Sequence, residues 1–141
     1  MTGRLDRAVA ERWLGGDPPV TGPGRVLVTG SRDWIDEAPI LRGLLDQIRP
    51  DGTTLTLVHG ACRTGADRIA HRLATAMGWA VEAWPADWQR HGKGAGPRRN
   101  AAMVKAGADI CLAYIKGGSP GATHCARLAE KAGIPTWRWT A

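Results

Sequence analysis

Short apolar runs, each halted at a glycine or polar turn and each followed by a stretch with helical periodicity, recur along residues 25–139. Residues 26–28 (Val-Leu-Val) stop at Gly30, and Ile40, Leu41, Leu44, Leu45 and Ile48 then trace a helical stripe closed by Pro50 and Gly52. Residues 55–58 form a second run, ended by His59 and Gly60, and Ile69, Leu73 and Met77 follow at spacing four across 65–77. A third run covers 80–84, a long polar loop reaches Pro97, and residues 100–106 read as helix. The pattern repeats with a strand at 110–115, a helix at 122–132 and a last strand at 135–139. Alternation of this kind predicts an α/β fold in three layers, with an open, mainly parallel five-stranded sheet covered on both faces.

Composition removes other classes. The chain has 141 residues, 43% apolar and 23% charged, enough for one folded domain. No apolar run approaches the roughly 20 residues of a membrane helix, and the start lacks the apolar core of a secretory signal. Cys62, Cys111 and Cys125 form no CxxC pair, and no His/Cys cluster has ligand spacing. A disulfide scaffold and a metal site are therefore not expected, no cofactor is called for, and the expected compartment is the cytoplasm. Residues 1–24 differ from the rest: Leu5, Val9 and Trp13 recur at helical spacing before a Gly/Pro cluster. They are expected to form an N-terminal accessory helix and linker ahead of the domain at 25–141.

Right-handed crossovers place all strand-to-helix loops along one edge of the sheet, where ligands of such folds bind. The loops at 29–34, 59–67, 85–100 and 116–123 carry Arg32, Arg63, Arg90, Lys93, Arg98, Arg99 and Lys116 against Asp33, Asp67 and Asp87. That is four of the chain's six net positive charges on one rim, which favours an anionic ligand. Two glycine-rich turns open helices there. One holds Gly60 and Gly65. The other holds Gly117, Gly118 and Gly121, with Ser119 and Thr123 as hydroxyl donors. Such turns let backbone N–H groups approach a phosphate, although tight turns with ordinary caps have the same composition. Neither turn matches the P-loop or the dinucleotide fingerprint. Arg98 and Arg99, near a helix start, suit bidentate phosphate contacts, and Asn100 suits a base or ribose edge. Trp34 and Trp88 are candidates to stack a ring or to plug the domain edge. Asp33, Asp67 and Asp87 are the candidate general acids or bases.

The stretches VTGSRDW, HGACRTGAD, PADWQRHGKGAGPRRNAAMV and GGSPGATHCARLAEKAGIP, in this order, resemble the YspA-related branch of the SLOG superfamily. That superfamily comprises Rossmann-like domains related to the DNA-processing protein DprA and to the LOG phosphoribohydrolases. The resemblance spans residues 25–139 and implies a nucleotide-type ligand at the strand carboxyl ends. It assigns Gly30, Ser31 and Arg32 to the phosphate or sugar, and Gly60, Gly65 and Asp67 to a second wall. Arg98, Arg99 and Asn100 match a GPxRN element, and Gly117, Gly118, Gly121 and Thr123 match a GGxGT phosphate loop. The LOG loop continues to a glutamate that serves glycosidic cleavage. Here Lys116 replaces its leading proline, Ser119 and Pro120 split it, Ala126 falls where the glutamate belongs, and Glu130 comes four residues later.

Three functions remain in view. The first is binding, or sensing, of a nucleotide or nucleotide-derived small molecule. The second is hydrolysis of a nucleotide's N-glycosidic bond by one of the rim aspartates. The third is single-stranded nucleic-acid binding, which would require cations and aromatics strung along a path. No membrane partner is expected. Seven tryptophans in a small chain favour a homodimer or higher homo-oligomer.

Overall fold

The computed structural model describes residues 2–4 and 24–141. The accessory helix and linker expected before residue 24 lie otherwise outside the described residues. Residues 2–4 form a short strand that the sequence reading did not include. The sheet comprises β1 (Thr2–Arg4), β2 (Arg25–Gly30), β3 (Thr56–His59), β4 (Ala80–Ala83), β5 (Ile110–Ile115) and β6 (Thr136–Thr140), in the order β1-β6-β5-β2-β3-β4. β2 to β6 run parallel, as expected, and β1 joins the edge antiparallel to β6. Among the described residues, four longer helices connect the strands: α1 (Glu37–Leu45), α2 (Gly65–Ala76), α4 (Ala95–Ala106) and α5 (Pro120–Lys131), with the single-turn α3 (Trp88–His91) between β4 and α4.

The layers follow from the alternation of side chains along each strand. Val26 and Val28 of β2 face one side with Leu57, Leu112 and Tyr114, where Ile40 and Leu44 of α1 and Ala66, Ala70 and Ala74 of α2 cover them. Leu27 faces the other side with Val58 and Cys111, under Met103 and Val104 of α4 and Cys125 and Ala129 of α5. This is the three-layer, Rossmann-like arrangement. The alanine-rich inner faces of α2 and α5 bring those helices close to the sheet. At Gly30 of β2 a Cβ would stand 2.3 Å from that of Ala66 on α2.

The chain leaves β2 toward β3 and β4, then returns to β5 on β2's other side. Strand order therefore reverses beside β2, and the loops after β2 and β5 separate there into a crevice. Ser31 ties the two: its N–H donates to Tyr114 O at 2.9 Å, and its Oγ accepts from Lys116 N–H at 2.7 Å.

The long polar loop expected between β4 and residue 100 is mostly helical. After Asp87 the chain makes α3, then a 3-10 turn over Gly92–Gly94, then enters α4 five residues before Asn100. Glycine and proline hid this start. Pro97 sits in the first turn of α4, where an N–H would have no intrahelical partner, so it does not break the helix.

Candidate functional site

A cavity of about 840 Å³ opens at the crevice, walled by the four loops at the strand carboxyl ends. Thr29, Gly30, Arg32 and Asp33 form the wall after β2. The exposed Arg32 guanidinium lies over the Trp88 ring, 5.6 Å from its centroid, so cation and aromatic face share the mouth. Trp88 itself is half-exposed.

The second wall runs from Gly60 to Arg63, with Asp67 behind it. His59, buried at the end of β3, accepts the Ala61 N–H on Nδ1 at 2.9 Å. Burial, with smaller contributions from His71 and Arg99, lowers its pKa to about 4, so the ring is neutral at physiological pH. With Nδ1 accepting, the proton resides on Nε2, which donates to His71 Nδ1 at 2.9 Å. That bond holds the turn while Ala61 adopts φ 60°, the left-handed region that alanine seldom occupies. The turn points the Cys62 N–H back at Asp67 Oδ2, 3.3 Å away.

Asp67, in the first turn of α2, is the most unusual group in the cavity. Its side chain is buried, and Oδ1 meets no donor at normal hydrogen-bond geometry among the described residues. Burial raises its pKa to about 6, opposed by the Cys62 N–H, the charge of Arg99, the Gly60 N–H and the charge of Arg32.

From the third wall, Arg99 reaches across to the second. Its Nη1 donates to Gly60 O and, at 3.2 Å, to Trp84 O, while Nε donates to Asn100 Oδ1 at 2.8 Å. A Cβ at Gly60 would stand 2.7 Å from Nη1, so glycine there lets the guanidinium lie flat on the turn. Asn100 is buried, and its Nδ2 lies 3.4 Å from Gly121 O and 3.3 Å from His124 Nδ1. Together the two residues fasten α4 to both glycine-rich turns.

The fourth wall is the start of α5, with Ser119, Pro120, Gly121, Ala122 and His124 on the cavity. As first-turn residues, Gly121 and Ala122 carry N–H groups that the helix leaves unpaired, at the positive end of its dipole.

Of the residues predicted from sequence, Gly30, Arg32, Asp33, Gly60, Asp67, Trp88, Arg99, Asn100, Ser119 and Gly121 line this one cavity. Others do different work. Trp34 is a core residue, 2% exposed, packed edge-on against Tyr114 at 5.5 Å with its indole N–H on Asp36 O, so it stacks no ligand. Asp87 caps α3 by accepting the Arg90 N–H at 3.1 Å. Gly65, at φ +73°, passes so close to the β2 loop that a Cβ would meet Ser31 O at 2.2 Å, and Ser31 joins the two loops as described above. Gly117, Gly118 and Thr123 lie off the lining. The Gly117 N–H donates to Ala141 O, and the Thr123 N–H to Ser119 O. Arg98 is exposed beyond the lining. Ala126, where a LOG enzyme has its glutamate, is fully buried in the core, and Glu130 pairs with Arg138.

Cys62, Arg63, Pro85, Ala86, Met103 and His124 also line the cavity and were not predicted as site residues. For His124 a signal existed: it follows Gly121 by three positions, which puts both on one side of α5. Met103 gave none, since its periodicity is that of any core residue. Among the described residues, no group of three or more His, Cys, Asp or Glu side chains is placed to hold a metal ion.

The sequence pattern of the YspA, cpYpsA-related SLOG family (YAcAr) matches residues 24–91. The Gene 61 protein of Mycobacterium phage D29 is 50% identical over 116 residues, covering 79% of this chain and 92% of that protein. No solved structure gives a significant match.

Proposed function

Because the chain belongs to the YspA, cpYpsA-related SLOG family, we propose that its cavity binds a nucleotide or a nucleotide-derived small molecule. One observation carries this reading: Arg32, stacked on Trp88, shares a single cavity with the unpaired N–H groups at the start of α5. A guanidinium and a helix N-terminus are both phosphate ligands, and an exposed indole beside them offers a face for a planar ring. The volume falls within the roughly 300–1,000 Å³ of small-molecule sites.

Isothermal titration with nucleoside mono- and diphosphates and ADP-ribose tests this reading. Micromolar binding to one class, weakened about tenfold or more by Arg32→Ala, is the expected result. Absence of binding to every phosphate-bearing compound would refute it.

A second reading, hydrolysis of the ligand's N-glycosidic bond, draws on Asp33 and Asp67 lying on the same lining. Against it stands Ala126, which gives α5 no carboxylate in the place used by LOG enzymes. Chromatographic detection of free base after prolonged incubation, abolished by Asp67→Asn or Asp33→Asn, would establish hydrolysis; an unchanged nucleotide leaves binding alone. Binding of single-stranded oligonucleotides in preference to mononucleotides, with a steep salt dependence, would favour a nucleic-acid ligand instead.

A further inference from the structure

The Arg99–Asn100 pair does more than fasten helices: it fixes which nitrogen of His124 carries the proton. The Arg99 Nε–H donates to Asn100 Oδ1 at 2.8 Å, and Gly121 O, 3.4 Å from Asn100 Nδ2, can only accept. A donor on one side and an acceptor on the other leave the buried amide one orientation, with Nδ2 as its donating end. The second Nδ2 hydrogen goes to His124 Nδ1, 3.3 Å away, so that nitrogen accepts and the proton of the neutral ring resides on Nε2.

Nε2 is the nitrogen left for a ligand. It has no hydrogen-bond partner among the described residues, and unlike Asp67 Oδ1 it is not enclosed, since His124 is half-buried on the cavity lining. The residue lies one turn after Gly121 on α5, and side chains lean back toward a helix's N-terminus. His124 thus adds a side-chain N–H to those of Gly121 and Ala122, which the helix leaves unpaired.

The acceptors on this wall are already engaged. Gly121 O and His124 Nδ1 take the two Asn100 N–H bonds, and Ser119 O takes the Thr123 N–H. What the wall offers is donors, and the Ser119 hydroxyl can turn to join them. A base edge or a sugar hydroxyl brings a donor of its own, which would go unpaired here. A phosphate brings only acceptor oxygens, so this wall satisfies it completely.

We propose that the His124 Nε2–H donates to the phosphate of the bound nucleotide, with Asn100 as the positioning residue that holds the imidazole in its donating tautomer. This rests on the nucleotide-binding reading above and adds to it a specific side-chain contact.

Two measurements test it. The first needs no variant: long-range proton–nitrogen correlation spectra of the histidine-labelled wild-type protein, at mildly alkaline pH, should show His124 protonated on Nε2, and adding nucleotide should shift that resonance. A ring protonated on Nδ1, or an Nε2 signal unmoved at saturation, overturns the proposal. The second is titration calorimetry with the ribo- and 2′-deoxyribonucleoside 5′-monophosphates of the common bases. His124→Phe keeps a ring without a donor and should weaken each nucleotide that binds by about tenfold or more, by a similar factor whatever the base or sugar. His124→Gln places an amide N–H near the Nε2 position and should stay within about threefold of wild type. Both variants lose the acceptor for Asn100, so the difference between them isolates the Nε2–H. Equal losses in the two, or none in either, overturn the proposal and leave nucleotide binding intact. A loss that follows one base or the 2′-hydroxyl overturns it by assigning His124 to the base or the sugar. No binding of any of these nucleotides to the wild-type protein refutes nucleotide binding and this inference with it.

Discussion

Asp67 and His59 have opposite effects on stability over one pH range. The Asp67 pKa rises from 3.8 unfolded to about 6 folded, so the native state binds the extra proton between those values and stability falls as pH rises through them. The groups facing Asp67 are the Gly60 and Cys62 N–H groups in the turn before α2, Arg32 after β2, Arg99 on α4 and Cys125 on α5, whose thiol burial pushes up to about 11. His59 is the reverse case: its pKa falls from 6.5 to about 4, so its contribution is present above the unfolded value and is lost as pH falls toward 4. In the wild-type protein the two trends offset each other, and single variants separate them. Relative to wild type, Asp67→Asn should gain stability as pH is raised from 4 to 7, by up to about 3 kcal/mol in urea unfolding. A gap that stays constant across that range would show that the carboxyl is not held in its neutral form. His59→Gln should remove the loss toward pH 4, read from the same titration.

At the scale of elements, the strands were legible because buried parallel strands read as short β-branched runs, and β2, β3 and β5 fall within a residue or two of where the apolar residues put them. The two glycine-rich turns were legible because glycine suits their backbone: Gly65, Gly117 and Gly118 have positive φ, and Gly65 also lies against the Ser31 carbonyl. The start of α4 was not legible, because Gly94, Gly96 and Pro97 carry loop composition into a helix that tertiary contacts hold. Trp34 was misleading because its sequence neighbours, Asp33 and Ile35, are exposed while packing on Tyr114 buries it. Arg99 shows the same limit: sequence marked it as a phosphate ligand, but only the structure shows it fastening α4 to Gly60 and Trp84. Arg99→Ala should therefore cost roughly 1–3 kcal/mol of stability and weaken ligand binding as well. Arg32→Ala should weaken binding while changing stability by less than about 0.5 kcal/mol, as exposed substitutions do. Gly65→Ala should destabilise by more than about 1 kcal/mol, since positive φ and the Ser31 carbonyl both oppose a Cβ. Thermal or urea unfolding of the three variants ranks them, and an Arg32→Ala protein as unstable as Arg99→Ala would reassign Arg32 to the scaffold.

For the whole molecule, the reversal of strand order beside β2 gathers residues far apart in sequence, from Thr29 to His124, around one cavity. The edge that holds them carries most of the chain's net positive charge, which raises the local concentration of anions before any specific contact forms. Among the described residues no helix is long and apolar enough to cross a membrane. A ligand confined to this cavity meets few cations, so its affinity should depend only weakly on salt, whereas a polyanion tracking the rim would release many counterions. Titrating nucleotide into isotopically labelled protein and following backbone amide resonances shows where on the molecule the ligand binds. Binding in the cavity should give saturable shifts concentrated at Arg32, Cys62, Gly121 and Ala122, with the amides of the opposite sheet edge, such as Gly24 and Asp109, unmoved. Shifts scattered over the surface, or none at saturating nucleotide, would contradict it.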